Sequence, residues 1–143
     1  QTGKYYEREM DEFMRGRDAR GIWRGAFIER MDLAYAAADV VVARSGAGTV
    51  SELCLVGKAV VFVPSPNVAE DHQTKNAMAL ADRGAALVVP DREAVARVFS
   101  EVGRLLADDA VRSEMEKNIR ALAVADSADR VADEILKVVK RSE

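Results

Sequence analysis

The chain has 143 residues, 49% of them hydrophobic and 31% charged, with a net charge of −3, the size and balance of one soluble globular domain. That charge gives no reason to expect a nucleic-acid partner, which calls for a basic surface, and the single cysteine, Cys54, excludes an internal disulfide. No apolar run approaches the roughly 18–20 residues of a membrane span.

No export signal is visible, so with one cysteine the expected compartment is the cytoplasm. Cys54 lies on an apolar helical stretch and is expected to be buried and inert. The opening, QTGKYYEREMDEFMRGRDARG, is polar, charged and lacks an initiator Met. It gives the expectation of a chain entered in mid-domain.

In chain order, residues 5–15 read as a short helix with Tyr6, Met10, Phe13 and Met14 near one face. GIWRGAFI, residues 21–28, reads as a strand. ERMDLAYAAADV follows as an amphipathic helix with Met31, Leu33, Ala34 and Ala37 inward. Val40–Ala43 is an unalternated apolar run, as buried parallel strands tend to be. Residues 49–56 read as a helix ending at Gly57, a C-cap residue type. AVVFVPSP, 59–66, is a second buried strand, stopped by Pro64 and Pro66. EDHQTKNAMALADRG, 70–84, is a helix with a glycine stop, and AALVVP, 85–90, a further strand.

The remainder reads as three helices. Residues 91–107 carry Val95, Val98, Val102, Leu105 and Leu106 at helical spacing. Residues 109–125 carry Met115, Ile119 and Leu122, and residues 127–141 carry Val131, Ile135, Val138 and Val139. Alternating β and α units predict an α/β fold, a parallel sheet with helices on both faces. In such sheets ligands sit beyond the carboxyl ends of strands, near a switch in strand order. The turn at 44–49, Ile28 and the segment 64–73 lie at such ends. Folds of this class often open with strand, Gly-rich loop and helix, and nothing before residue 21 has that form. The expectation is a sheet of four strands with an N-terminal piece of the domain outside the chain.

Two stretches hold the candidate chemistry. In Ser45-Gly46-Ala47-Gly48-Thr49, a small-residue turn leads into a helix. Thr49 with Glu52 three residues later spells a capping box, in which each side chain satisfies the other's backbone N–H. The same turn fits a ligand: first-turn N–H groups and the helix dipole attract phosphate, the glycines admit a close approach, and Glu52 suits a ribose diol. Both readings stand. The GxG pattern is neither a Walker loop nor GxGxxG.

In the second stretch, Glu70, Asp71, His72, Gln73 and Asn76 crowd a helix opening. Glu70 and Asp71 suit a helix N-terminus electrostatically. His72, the only histidine, has no partner in sequence that marks metal or triad chemistry. Gln73 and Asn76 share a helical face, and amides suit sugar hydroxyls because each both donates and accepts. No nucleophile–base pair, metal-ligand spacing or cofactor motif is present. The chain reads as half a binding cleft.

Four segments together, QTGK, GAFIERMDLAYAAADVVVARSGAGTVSEL, GKAVVFVPSPNVAEDHQTKNAMAL and GAALVVPD, closely resemble the C-terminal domain of the MurG family. These are the bacterial N-acetylglucosaminyltransferases that complete the lipid-linked peptidoglycan precursor. The resemblance runs to about Asp91 and returns more loosely in ADSADRVADEILKVV, which is similar to the family's closing helix. It implies residues 1–143 of a partial UDP-sugar-binding domain, the Rossmann-like C-terminal half of a GT-B glycosyltransferase, with residues 127–141 as the closing helix. The parent enzyme would be a hexosyltransferase, peripheral on the inner face of the bacterial plasma membrane, with UDP-N-acetylglucosamine as donor and lipid I as acceptor.

By residue, the resemblance implies that the Ile28 backbone pairs with the uracil edge. Ala47, Gly48 and Thr49 match the turn and helix start that contact the sugar and diphosphate, and Ser45 and Gly46, just before them, are taken as substrate-binding candidates with them. Glu52 accepts from the ribose hydroxyls, and His72, Gln73 and Asn76 lie near the sugar hydroxyls. The sugar passes with inversion to the C4 hydroxyl of a lipid-linked muramyl-pentapeptide.

Two departures from the family stand out. Gly48 replaces what is often a larger side chain. The domain's first strand and Gly-rich loop, and the acceptor-binding domain with its general base, have no counterpart. Three expectations follow: no catalytic residue in the chain and no transfer by it alone, weakened donor binding, and self-association through an open sheet edge. The alternatives are a nucleotide-sugar-binding or epimerase-type domain of the same architecture, or a non-catalytic α/β interaction domain.

Overall fold

In the computed structural model, residues 1–66 and 71–140 are described, Lys140 in its backbone only. Glu70, one of the acidic residues expected at a helix start, lies outside the described residues. The chain divides into two compact units, Gln1–Ala37 and Ala38–Glu143.

The first unit holds two helices, α1 (Gly3–Met14) and α2 (Met31–Ala37). Residues 21–28, expected as a strand, are irregular. A strand exists only through a ladder, and this segment finds too little of one. Thr2 and Gly3 donate their N–H groups to Gly25 O and Ala26 O at 3.0 and 2.9 Å, while Ile22 N–H closes a turn onto Ala19 O. Arg24 forms an ion pair with Asp11 of α1. Trp23 and Phe27 are exposed, as are Leu33 and Ala37, which were expected to face inward; Met31 and Ala34 are half-buried.

The second unit is a three-stranded parallel sheet in the order β1-β2-β3, with β1 Val40–Ala43, β2 Ala59–Phe62 and β3 Leu87–Val88. Val40 pairs with Ala59 and Val61 with Leu87. α3 (Ala47–Val56) connects β1 to β2, and α4 (His72–Ala81) connects β2 to β3. A 3₁₀ turn at Asp91–Glu93 leads to α5 (Ala94–Ala107), followed by α6 (Asp109–Arg120) and α7 (Ser127–Lys140). The parallel α/β architecture is as the sequence indicates. The described strands follow one another in sequence order, with no switch among them.

All four β2 residues are buried, so both faces of the central strand are covered. On one face Ala59, Val61 and Val63 form a core cluster with Val89, Leu105 of α5 and Met115 of α6. Val60 and Phe62, at alternate positions, point the other way; on α3 and α4 the buried residues are Leu53, Cys54, Ala77 and Leu80. β1 is less covered than its sequence suggests, because among the described residues it pairs with β2 alone and Val42 is 48% exposed.

α5 contributes a stripe of Ala94, Val98, Val102 and Leu105 to the core. Val95 and Phe99 are 98% and 87% exposed, so the expected inward placement of Val95 is corrected. The 3₁₀ turn delays the α-helix to Ala94, and the packed stripe then starts there. In α7, Val131, Ile135, Val138 and Val139 are exposed rather than packed.

Candidate functional site

The site is built at the carboxyl ends of the strands. β1 ends at Ala43, and Arg44 and Ser45 follow. Gly46 then adopts an extended conformation (φ −63°, ψ 150°) and becomes the N-cap of α3. Val50 N–H donates to Gly46 O at 3.0 Å, the first bond of the helix. The helix therefore starts two residues earlier than the sequence suggests. Thr49 is its third residue rather than its cap, and no side chain caps it. The capping-box reading of Thr49 and Glu52 is overturned. The nearby residue with capping chemistry, Ser45, is engaged elsewhere. The N–H groups of Ala47, Gly48 and Thr49 belong to the first turn, whose donors have no acceptor within a helix. A Cβ added at Gly46 or Gly48 would meet nothing within 4 Å, so the approach to this helix end is open.

Ser45 is the fully buried polar residue among those described. Its hydroxyl donates to Gln73 O at 2.8 Å, and its own carbonyl accepts from Asn76 Nδ2 at 3.1 Å. Two bonds thus join the turn before α3 to the first turns of α4. Gln73 takes a third link, its Oε1 accepting from Ser65 N–H at 2.9 Å. Three residues grouped by sequence as polar candidates, Ser45, Gln73 and Asn76, are brought together, and two of the three links use the candidate amides as scaffold. Each of these bonds uses one capacity of an amide: Gln73 keeps both N–H donors and one lone pair of its oxygen, and Asn76 keeps its carbonyl oxygen and one N–H.

α4 opens at Asp71, which is in the left-handed region (φ 52°) and accepts from Thr74 Oγ1 at 2.6 Å. A non-glycine residue there is held in a conformation costing of order 1–3 kcal/mol. His72 is exposed and Gln73 half-buried; Glu52 is exposed on α3, one turn beyond Thr49. Ile28 belongs to the first unit, where its N–H donates to Gln1 Oε1 at 3.1 Å.

Arg44 is the residue that sequence reasoning passed over. Its Nη1 donates to Val63 O at 3.0 Å and Pro64 O at 3.2 Å, and pairs with Asp91 Oδ1 at 2.5 Å. One guanidinium therefore ties the ends of all three strands. The available signal was a charge placed directly after an apolar strand, and an acid directly after Pro90.

Away from the strand ends, Val50, Cys54, Leu80, Arg83 and Leu122 line part of a cleft of about 270 Å³. Burial pushes the Cys54 thiol above its usual range, in keeping with an inert residue. Among the described residues no three His, Cys, Asp or Glu side chains gather as a metal centre, and no helix is long and apolar enough to cross a membrane.

Residues 1–131 match the model of the glycosyltransferase family 28 C-terminal domain. Among curated relatives, proteins named UDP-N-acetylglucosamine–N-acetylmuramyl-(pentapeptide) pyrophosphoryl-undecaprenol N-acetylglucosamine transferase are similar over nearly the whole chain. The one from Parabacteroides distasonis is 45% identical over 99% of this chain and 38% of its own length. The one from Bacteroides thetaiotaomicron is 48% identical over 98% and 38%. The chain thus spans under two fifths of these relatives. Among solved structures, Acinetobacter baumannii MurG superposes with a TM-score of 0.79 at 34% identity, covering 94% of this chain and 39% of that one. The glycosyltransferase VinC, solved in complex with dTDP, shares the fold with a TM-score of 0.66 at 22% identity, over 94% and 33%.

Proposed function

The chain belongs to glycosyltransferase family 28, through the family's C-terminal domain, and from that premise we propose that it forms the donor-binding part of an N-acetylglucosaminyltransferase. The donor is UDP-N-acetylglucosamine and the acceptor the C4 hydroxyl of a lipid-linked muramyl-pentapeptide. A lipid acceptor places the work at the inner face of the bacterial plasma membrane. The carrying observation is the pair of helix starts, α3 and α4, locked side by side through buried Ser45.

The diphosphate lies against the open first turn of α3, where Ala47, Gly48 and Thr49 present N–H groups along the helix dipole. Glu52, one turn on, accepts from the ribose diol. His72 and Gln73 face the sugar hydroxyls, with Gln73 donating. Asn76 and Ser45 act by holding the two helix starts in register.

In the reaction the acceptor hydroxyl attacks the anomeric carbon as the bond from that carbon to the diphosphate oxygen breaks, with inversion. The hydroxyl proton leaves to a base, which this reading assigns, with the acceptor site, to the part of the relatives' length that the chain does not span. The departing UDP gains charge, and N–H donors fixed at a helix start favour that charge without reorganising.

Isothermal titration tests the reading. UDP and UDP-N-acetylglucosamine are expected to bind and ADP to bind far more weakly. Glu52→Ala is expected to weaken both uridine ligands at least about tenfold, the worth of one hydrogen bond to a charged acceptor. Equal affinity for ADP and UDP, or an unchanged affinity on removing Glu52, would overturn it.

A further inference from the structure

We propose that Arg44 and Asp91 are a positioning pair that sets the Gln73 amide, and through it the preference of the site for a nucleotide carrying a sugar over the bare nucleotide. The proposal rests on the donor-site reading and adds residues that the reading does not use.

The chain of contacts is short. Arg44 Nη1 holds the carbonyls of Val63 and Pro64, at 3.0 and 3.2 Å. The next residue, Ser65, donates its N–H to Gln73 Oε1 at 2.9 Å. Ser65 lies between Pro64 and Pro66, and proline has no N–H. Ser65 is therefore the single backbone donor of residues 64–66, and it is spent on Gln73. Because a backbone N–H only donates, the amide must turn its oxygen to the loop. Its NH₂ group is then what Gln73 brings to a ligand, a donor matched to a sugar hydroxyl oxygen.

Asp91 supplies the countercharge that holds the guanidinium, at 2.5 Å from Nη1. The Arg44 and Asp91 side chains are 53% and 37% exposed, and a pair that open to solvent adds little to stability, about 0–1 kcal/mol. Its consequence is geometric: one cation fastens three strand ends and so fixes the loop that aims Gln73. Arg44 and Asp91 touch no sugar in this arrangement; they act through Ser65 and Gln73.

The test has a ligand-free arm and a titration arm. In nuclear magnetic resonance spectra of the unliganded chain, Arg44→Ala and the milder Asp91→Asn are both expected to move the Ser65 amide signal and the Gln73 side-chain NH₂ signals. Unmoved signals would overturn the proposal. In titrations, Arg44→Ala is expected to weaken UDP-N-acetylglucosamine about tenfold and UDP less than about twofold, with no further loss when added to Gln73→Ala. Equal weakening of both ligands, additive with Gln73→Ala, would mean that the guanidinium contacts phosphate directly and would also overturn it. If the unaltered chain bound neither ligand, the donor reading would fall while the ligand-free spectra would still decide the positioning pair.

Discussion

Ser45 shows how a small side chain carries a large share of the site. It is completely buried, donates to the Gln73 carbonyl and accepts from Asn76. Ser45→Ala removes the hydroxyl's bond to the Gln73 carbonyl, and the expected loss is about 0.5–1.5 kcal/mol, measured as a lower denaturant midpoint at unchanged slope. The residue pattern singled out Ser45 as part of a small-residue turn and Gln73 and Asn76 as amides on one helical face, and it was the family resemblance that expected the three at one site. Their mutual bonds were not legible, since they join positions 28 and 31 residues apart. Thr49 and Glu52 were misread for a related reason. A capping box is a local pattern, and Gly46, by taking the extended conformation, moved the helix start past it. Arg44 was hidden because an arginine after a strand is ordinarily a solvated charge.

At the level of elements, Gly57 fulfils its sequence role. It ends α3 in the left-handed conformation, φ 68°, with its N–H on Leu53 O. A Cβ there would run into the Arg120 guanidinium, which donates to Val56 O at 2.8 Å and links α6 to the end of α3. Gly57→Ala combines a strained φ with the loss of that link, and the expected cost exceeds about 1 kcal/mol, read by thermal melting. α5 carries a further, pH-dependent device. Hydrogen bonds from Arg97 first, and then from Arg104, hold the Glu101 carboxyl below its usual value of 4.5 against the opposing pull of burial. A carboxyl with a lowered folded-state pKa stabilises the fold above its unfolded pKa, and that contribution disappears as pH falls through the folded value. Glu101→Gln is therefore expected to flatten the loss of melting temperature below about pH 4.5, an effect absent at neutral pH in the slope though not in the level. The strand expected at 21–28 failed at this scale. Its aromatic and β-branched composition was right for a strand, but composition cannot supply a ladder partner.

For the whole molecule, the alternation of apolar runs with amphipathic helices sufficed for the parallel α/β class, and burial of every β2 residue agrees with its unalternated sequence. Coverage was less legible. Helical spacing marks an apolar stripe without saying whether anything lies against it, and Phe99 and the apolar positions of α7 are exposed. The division into units, Gln1–Ala37 and Ala38–Glu143, has no marker in composition. Among the described residues β1 pairs with β2 alone, and a strand edge of that kind templates further pairing. Sedimentation at rising concentration is expected to show association of the chain, against which a clean monomer at high concentration would count.

Cys54 lies two residues beyond Glu52 on the helix that begins at the candidate phosphate turn, and it is buried with a thiol resistant to ionisation. It is the chain's sole sulfhydryl and stands in the wall of the cleft beside Val50 and Leu80, so alkylation is expected to be slow in the closed fold and faster whenever α3 comes away from its neighbours. The part of that rate that comes from opening reports on α3, and a compound that settles on the helix start is expected to slow that part as its occupancy rises. The molecule carries its own stopwatch for the helix that matters.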